Sequence, residues 1–284
     1  MIKKNHLYLI TGGTGLLGVT LCKNILEMGG QVRMVARNRD KLEKIKEKYP
    51  TIDIIVGDIS NKKLFETCLL NVEGIFHLAA LAKGLQGGGT VESVNTNLVG
   101  TINLLEESQK YPIKFILGIS SDKAVQISSV YGATKFINEK LFEEFETNNK
   151  NTDYRIVRLS NVLYSVDSVL DRWKKLIQEG RKVTVTDLNA TRFFITPQQA
   201  INAMFQCLKH SKNSQPYYIK SKATSIKILL QAMYLKYGKR DFNIKNVNII
   251  GLQKGENMHE KIAENELSSN QAQFYTLNEL INIL

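Results

Sequence analysis

A glycine-rich turn between an apolar run and a helical segment constrains the fold of this chain most. Residues 7–10 form the apolar run, and residues 11–18 (TGGTGLLG) carry the turn that opens the helix. Strand, glycine turn and helix in this order are the context of a dinucleotide fingerprint. Gly12 permits the tight turn, Gly15 lets the backbone approach a pyrophosphate, and Gly18 allows close helix–strand packing. We therefore predict a dinucleotide whose pyrophosphate lies at the helix N-terminus.

Strands and helices continue to alternate after this turn. Apolar runs predict further strands at residues 31–35, 52–56, 74–80, 114–119 and 154–159. Such alternation is typical of a parallel sheet with helices on both faces. We predict an α/β fold, namely a Rossmann-type doubly wound parallel sheet with a smaller C-terminal substrate-binding lobe. The expected domains are residues 1–160 and residues 161–284, and parts of the second can return to the Rossmann sheet.

The end of the predicted strand at residues 31–35 indicates which dinucleotide binds. An NAD site usually places a carboxylate there to bind the ribose hydroxyls. This chain has Ala36 at that place, followed by Arg37 and Arg39, which suit a 2′-phosphate. We predict NADP, with NAD less favoured; the alternative is that both arginines are solvated surface residues. Asp58 follows the next run, where the adenine edge would lie.

Two polar stretches suggest acid–base chemistry. Ser-Ser-Asp-Lys follows the run at residues 114–119, and Tyr-Gly-Ala-Thr-Lys opens the next helix. Tyr131 and Lys135 lie one helical turn apart on one face, so the ammonium is expected to lower a phenol pKa that starts near about 10. Asp122 and Lys123 supply a second acid and a second base. A tyrosine and a lysine at this spacing also occur by chance on helix surfaces, so the pair gains weight only from the rest of the chain.

The composition excludes several classes of partner. The net charge is +11, but the lysines are spread over the predicted helices rather than gathered in one basic arm, so we expect no nucleic acid. No apolar run of about 18 residues and no signal-peptide pattern are present, so we expect a cytoplasmic protein without a membrane span. Cys22, Cys68 and Cys207 lie far apart in apolar segments, which predicts buried thiols and no metal site.

Together these motifs resemble the extended short-chain dehydrogenases/reductases. Within them, the chain is similar to the bacterial UDP-N-acetylglucosamine 4,6-dehydratases of polysaccharide biosynthesis. The matching stretches run in family order over nearly the whole length, at residues 11–18, 120–124, 131–135, 158–162, 191–196 and 255–260.

The resemblance implies a mechanism and a catalytic set. Tyr131 would deprotonate the sugar 4-hydroxyl while hydride leaves carbon 4 for the nicotinamide, and Lys135 would bind the nicotinamide ribose and tune Tyr131. Lys123 would remove the proton on carbon 5, and Asp122 would help the 6-hydroxyl leave as water. Hydride would return to carbon 6. Ser121 completes the set.

The resemblance also implies the binding residues. Those expected to hold the cofactor, besides Tyr131 and Lys135, are Gly12, Thr14, Gly15, Leu16, Leu17, Gly18, Arg37, Arg39, Asp58, Ile59, Ala79, Ala80, Lys83 and Asn97. Those expected to hold the UDP-sugar are Lys83, Asn161, Arg192 and Glu256, with Asn161 and Arg192 on its diphosphate and Arg192 binding as a bidentate fork. The family forms dimers through helices such as those predicted at residues 91–110 and 131–145, so a homo-oligomer is expected.

Alternatives stay open at this stage. A 4-epimerase of the same fold needs Tyr131 and a tightly held cofactor but no Asp-Lys pair. A reductase that releases the cofactor and a non-catalytic binding module are further readings. Residues 165–168 lack the arginine and glycine expected there, and the pair Leu159-Ser160 replaces an aromatic-glycine pair. The sequence motifs therefore indicate the identity of the sugar less clearly than they indicate the fold or the cofactor class.

Overall fold

The computed structural model of the chain describes residues 2–82, 89–164, 169–238 and 241–284. The chain forms two compact units. The first consists of Met1–Leu159 and Ala200–Tyr218, and the second of Ser160–Gln199 and Ile219–Leu284.

A sheet of six parallel strands forms the centre of the first unit. The strands are β1 (Leu7–Thr11), β2 (Gln31–Ala36), β3 (Asp53–Val56), β4 (Val72–His77), β5 (Phe115–Ser121) and β6 (Asp153–Leu159). Their order is β3-β2-β1-β4-β5-β6, which is the order of a Rossmann fold. The apolar runs become strands because a sheet covered by helices on both faces needs apolar side chains on both faces. The predicted α/β fold with a doubly wound parallel sheet is confirmed.

The helices of this unit follow the strands along the chain. They are α1 (Leu16–Glu27), α2 (Arg39–Lys48), α3 (Leu64–Cys68), α4 (Thr90–Val94), α5 (Gly100–Ser108) and α6 (Val130–Asn148). Strand and helix side chains meet in a buried core that includes Leu9, Val35, Phe65, Ile75, Leu104, Ile116, Phe142 and Tyr154.

The single helix predicted at residues 91–110 is interrupted in the structure. A π-helical turn, Asn95–Val99, separates α4 from α5. Such turns are rare and frequently occur at functional sites. Here the turn carries Asn97, whose buried side chain donates to the Leu81 carbonyl at 3.0 Å and to Thr134 Oγ1 at 3.0 Å.

The second unit has two small sheets and its own core. The strands are β7 (Asn161–Val162), β8 (Val183–Val185), β9 (Thr191–Ile195), β10 (Ala223–Ser225) and β11 (Val247–Ile249), in the orders β10-β9-β7 and β11-β8. The helices are α7 (Val169–Gln178), α8 (Pro197–His210), α9 (Ile226–Tyr237) and α10 (Leu277–Ile283), of which most of α8 belongs to the first unit. Trp173, Leu229 and Leu280 are among the residues of its buried core.

Candidate active site

The Asp-Lys pair lies in a short 3₁₀ turn, Asp122–Ala124, directly after β5. Both carboxylate oxygens of Asp122 accept hydrogen bonds: Oδ1 from Ser121 Oγ at 2.6 Å and Oδ2 from Lys123 Nζ at 2.8 Å. The Asp122 side chain is 2% exposed and that of Lys123 is 24% exposed. The turn therefore presents a buried carboxylate bridged to a partly accessible amine, with the predicted residues Ser121, Asp122 and Lys123 in contact.

Tyr131 and Lys135 follow in the first turns of α6. Ser129 caps this helix, its hydroxyl accepting from the Gly132 amide at 3.2 Å. Lys135 is buried, and its ammonium lies 5.6 Å from the centre of the Tyr131 ring. The ammonium donates to the Ile119 carbonyl at 2.7 Å. Tyr131 and Lys135 therefore lie side by side, as their spacing predicts. The hydrogen bond of Lys135, however, goes to the backbone of β5.

The pKa of Tyr131 differs from the sequence-based expectation. Burial raises it to about 12; the charge of Lys123 lowers it and that of Asp122 raises it. Burial lowers the pKa of Lys135 to about 8, against the charge of Glu139, which raises it. The expected lowering of the phenol pKa by Lys135 is not seen, because Lys135 is not among the groups that shift this pKa and removal from water outweighs the positive charge of Lys123.

A glycine lies where the turn after β5 and helix α6 make contact. A Cβ atom at Gly132 would lie 2.4 Å from the Lys123 carbonyl oxygen, closer than any side chain tolerates. Only glycine lets α6 pack on the turn this closely, so Tyr131 and the Asp122-Lys123 pair belong to one compact arrangement at the carboxyl end of β5.

A cleft of about 260 Å³ opens beside the glycine-rich turn of the first unit. The predicted cofactor residues that line it are Gly12, Thr14, Gly15, Arg37, Asp58, Ile59, Ala79 and Ala80. Leu16, Leu17 and Gly18 lie instead in the first turn of α1 and do not line this cleft. Lys83, also predicted here, lies outside the described residues.

The glycine turn fits a pyrophosphate. Gly12 has a positive φ of 69°, and a Cβ atom there would meet the Ala79 backbone nitrogen at 2.7 Å. A Cβ atom at Gly18 would meet the Gly13 carbonyl oxygen at 2.6 Å. The N-cap of α1 is Gly15, and no side chain caps the helix there. Its first amides can therefore donate to an anion.

The two arginines predicted to select NADP differ in position. Arg37 lines the cleft, and its Nη1 lies 3.3 Å from Glu92 Oε1 and 3.8 Å from Asp58 Oδ2. Arg39 does not line it; its side chain is 69% exposed and lies 3.9 Å from Glu43. Arg37 is therefore the arginine placed to meet a cofactor, and two carboxylates already neighbour it.

Asp58 and Asn97 shape the cleft in different ways. Burial alone would raise the pKa of Asp58, but hydrogen bonds from the Ser60 amide and hydroxyl and the charge of Arg37 together lower it. Asp58 is therefore held as a carboxylate. Asn97 does not line the cleft; its side chain also accepts from the Leu81 amide at 2.7 Å and so fixes the segment after β4 that does.

The three residues of the second unit that were predicted to bind substrate lie in a charged cluster. Arg192 Nη2 donates to Glu256 Oε1 at 2.9 Å, and Asn161 Nδ2 donates to Glu260 Oε2 at 2.8 Å. Arg192 Nε lies 3.4 Å from Glu260 Oε1, and its Nη1 donates to the Thr191 and Met258 carbonyls. The guanidinium, 12% exposed, thus faces carboxylates and carbonyls.

Sequence reasoning missed two buried carboxylates. Glu260 links Asn161 to Arg192, as described above. Glu139 accepts from Ser120 and Arg158 beneath Lys135. The signal for Glu139 was present, because Tyr131, Lys135 and Glu139 recur at one-turn spacing on a single helix face. For Glu260 the sequence offered only its place in the stretch at residues 255–260.

The described residues lack two features, a metal-binding cluster and a membrane-spanning helix. No group of histidine, cysteine, aspartate and glutamate side chains there could hold a metal ion. No helix in that part of the chain is long and apolar enough to cross a membrane.

Curated relatives cover most of the chain. An uncharacterized membrane protein of Methanocaldococcus jannaschii is 29% identical over 287 residues, which is 98% of this chain and 84% of that protein. A UDP-N-acetylglucosamine 4,6-dehydratase (inverting) of Campylobacter jejuni is 29% identical over 91% of this chain and 77% of its own length. A UDP-glucose 4-epimerase of Rickettsia canadensis is 27% identical with the same two coverages.

Solved structures share the fold. The X-ray structure of Pen from Bacillus thuringiensis is 27% identical, with a TM-score of 0.91, over 99% of this chain and 97% of that one. The UDP-glucuronic acid 4-epimerase of Bacillus cereus, solved with UDP-glucuronic acid and NAD, is 20% identical. It has a TM-score of 0.76 over 98% of this chain and 92% of that one, a likeness that concerns the fold alone.

The family described as polysaccharide biosynthesis protein matches residues 8–280. With the sheet order and the glycine turn, this match establishes that the chain belongs to the polysaccharide biosynthesis protein family and resembles the extended short-chain dehydrogenases/reductases.

Proposed function

We propose that this protein is a nucleotide-sugar 4,6-dehydratase that uses NADP, with UDP-N-acetylglucosamine as the first substrate to test. The observation that carries the proposal is the Asp122–Lys123 pair packed against the Tyr131–Lys135 helix through Gly132. Oxidation at carbon 4 needs only the tyrosine and the lysine of α6. Elimination of water needs an acid and a base in addition, and the turn after β5 offers both.

Each of the four side chains has a defined role in the proposed reaction. NADP, when bound, supplies the hydride acceptor and donor. Tyr131 takes the proton of the sugar 4-hydroxyl, and Lys135 stabilises the phenolate and binds the nicotinamide ribose. Once carbon 4 is a ketone, the proton on carbon 5 is acidic, and Lys123 removes it. Asp122 donates a proton to the 6-hydroxyl, which leaves as water; hydride from the bound cofactor would then return to carbon 6, and Lys123 would return the proton to carbon 5.

The hydrogen bond between Lys123 and Asp122 supports this division of roles. An ion pair and a neutral amine–acid pair differ only by the place of one proton along the 2.8 Å Nζ–Oδ2 contact. The neutral form holds the base and the acid that the elimination requires. Ser121 keeps the carboxyl oriented through its bond to Oδ1. Ordinary general acids and bases contribute about 100- to 10,000-fold each.

We propose that the nucleotide part of the substrate is bound by Asn161 and Arg192, with Lys83 and Glu256. Arg192 has the planar fork that suits a diphosphate. Arg192 forms an ion pair with Glu256, which is partly exposed and can move aside when a diphosphate binds. Glu260 and backbone carbonyls contact the guanidinium from the other sides. Glu256 would then be free to accept from a sugar or ribose hydroxyl.

A UDP-sugar 4-epimerase is the second candidate. Relatives that carry this name match 91% of the chain at about the same identity as those named dehydratase. An epimerase returns the hydride to carbon 4, so it has no use for an acid–base pair at carbons 5 and 6. The close contact of Asp122 and Lys123 beside Tyr131 favours the dehydratase.

Variants of the pair test the proposal. Asp122→Asn and Lys123→Met should bind NADP and fold normally but lose dehydration of UDP-N-acetylglucosamine by about 100-fold or more. Tyr131→Phe should abolish oxidation and dehydration together. The exposed Lys140→Met serves as a control and should keep full activity. Product is measured by mass spectrometry, and full turnover by either pair variant would contradict the assignment.

A further inference from the structure

We propose that His77 is a positioning residue of the cofactor cleft. Through one directed chain of hydrogen bonds with Thr11 and Thr101, it fixes the segments that follow β1 and β4 and the π-helical turn Asn95–Val99. The inference rests on the proposed use of this cleft for a nicotinamide dinucleotide. His77 itself does not line the cleft, so its effect is exerted through the residues that it holds.

The ring of His77 lies between two threonine hydroxyls. Its Nδ1 is 2.8 Å from Oγ1 of Thr11, the last residue of β1, and its Nε2 is 2.9 Å from Oγ1 of Thr101 in the first turn of α5. His77 is 5% exposed and both threonines are fully buried. Both ring nitrogens are therefore bonded within the protein rather than to solvent.

The hydroxyl of Thr101 determines which ring nitrogen carries the proton. A threonine hydroxyl has one hydrogen to donate, and that of Thr101 goes to the Asn97 carbonyl at 2.7 Å. Thr101 Oγ1 can therefore only accept from His77, which requires a proton on Nε2. In a neutral ring Nδ1 is then an acceptor and receives the Thr11 hydroxyl. The oxygen of that hydroxyl in turn accepts from the Ala79 amide at 3.3 Å.

A charged imidazolium does not fit this arrangement. It would donate from both nitrogens, and the proton of the Thr11 hydroxyl would then lack an acceptor among the described residues. Burial and the charge of Lys135 also lower the pKa of His77 to about 3. The chain of hydrogen bonds therefore runs in a single direction, from the amide after β4 to the carbonyl in the π-helical turn.

The Thr101 end of the chain holds the π-helical turn. The amide of Gly100 bonds to the Asn95 carbonyl, five residues back rather than the four of an α-helix. The Thr101 hydroxyl bonds to the carbonyl of Asn97 inside this turn, and threonine bonds of this kind bend helices. The ring N–H of His77 contacts the same hydroxyl oxygen from β4, so it keeps the hydroxyl proton directed at the turn.

The π-helical turn in its turn shapes the cleft. Thr96 lines the cleft directly, and Asn97 holds a further lining residue, Leu81. Asn97 Oδ1 accepts from the Leu81 amide at 2.7 Å, and its Nδ2 donates to the Leu81 carbonyl at 3.0 Å. At the other end of the chain, Thr11 immediately precedes Gly12 of the glycine-rich turn. One buried ring thus connects segments that line the cleft after β1, after β4 and before α5.

The tautomer of His77 is the first test. Protein labelled with ¹⁵N at its histidines is observed by NMR at neutral pH, and the His77 signals are identified by their absence in His77→Gln. We expect one neutral form with its proton on Nε2. A proton on Nδ1, or a charged ring, would contradict the directed chain.

Two variants of Thr101 test the effect on the cleft. Thr101→Val keeps the shape of the side chain without its hydroxyl, whereas Thr101→Ser keeps the hydroxyl. We expect Thr101→Val to accelerate hydrogen exchange of the Leu81 amide, and to weaken NADP binding, by about 5-fold or more, the scale of one ordinary hydrogen bond. Thr101→Ser should restore both values.

Two controls separate positioning from a general loss of stability. The amide of Ile116 lies in the centre of β5, and a merely less stable protein would exchange it faster together with that of Leu81. We expect Leu81 to be accelerated relative to Ile116. Thr147→Val removes an exposed hydroxyl bond to the Glu143 carbonyl, also four residues back, and should change neither the exchange ratio nor the affinity.

A second variant covers a failure of Thr101→Val to fold. Thr11→Val deprives Nδ1 of its donor at the other end of the chain and should change Leu81 exchange and NADP affinity in the same direction. An unchanged exchange ratio and affinity in Thr101→Val, or in Thr11→Val if the first variant does not fold, overturns the inference. If the unmodified protein binds no dinucleotide, the proposed function fails, while the tautomer and the exchange of Leu81 still decide the role of His77.

Discussion

Arg37 is the residue on which the proposed preference for NADP depends. It lines the cleft and neighbours Asp58 and Glu92, whereas Arg39 is exposed on α2 and does not line it. We expect Arg37→Ala to weaken NADP binding by about 1–3 kcal/mol, the scale of hydrogen bonds to charged groups. Arg39→Ala should have a smaller effect.

Removal of a competing carboxylate should act in the opposite direction. Glu92→Gln removes the negative charge that lies 3.3 Å from Arg37, so NADP should bind more tightly while NAD is little changed. Fluorescence titration with the reduced cofactors measures both affinities. Equal affinity of the unmodified protein for the two cofactors would refute the preference.

Single residues also show where sequence reasoning stops. The spacing of Tyr131 and Lys135 was sufficient to predict that they share a helix face, because that geometry is local. The pKa of Tyr131 was predicted in the wrong direction, because burial depends on strands and turns that are distant in sequence. The ion pairs of Arg192 could not be predicted for the same reason, because its carboxylate partners lie 64 and more residues away along the chain.

Helix α6 depends on a single glycine for its contact with the turn after β5, which carries Asp122 and Lys123. Gly132→Ala would bring a methyl group to 2.4 Å from the Lys123 carbonyl oxygen, so either the helix or the turn must shift. We expect a loss of stability of about 1–3 kcal/mol, typical of overpacking, and a fall in sugar turnover. Urea unfolding measures the first and product formation the second.

Cofactor binding is the internal control for this variant. The glycine-rich turn that is proposed to bind the pyrophosphate lies between β1 and α1, so the affinity for the cofactor should be unchanged. Unchanged stability together with unchanged turnover would show that the close approach of α6 and the turn is not required.

Elements were predicted well where a local pattern dictates them. The six strands follow from apolar runs. Thr196, Pro197 and Gln199 form a capping-box sequence at the start of α8, and both Thr196–Gln199 hydrogen bonds are present. The π-helical turn inside the helix predicted at residues 91–110 was missed, because no periodicity of apolar residues predicts such a turn.

At the scale of the whole molecule, topology was more predictable than the division of the chain. The Rossmann order follows from alternating strands and helices after a glycine turn. The assignment of Ala200–Tyr218 to the first unit depends on packing between distant segments, which sequence patterns do not encode. A homo-oligomer stays a prediction; the exposed Phe136 and Ile137 on α6 and Val99 before α5 are compatible with it.

In the proposed reaction, hydride leaves carbon 4 and returns to carbon 6 after loss of water. UDP-N-acetylglucosamine carrying deuterium at carbon 4 reports on this transfer, with the product analysed by mass spectrometry and NMR. A 4,6-dehydratase gives a product that lacks one water and carries the deuterium on carbon 6. A product of unchanged mass with inverted carbon 4 would identify an epimerase and rule out the proposed dehydratase.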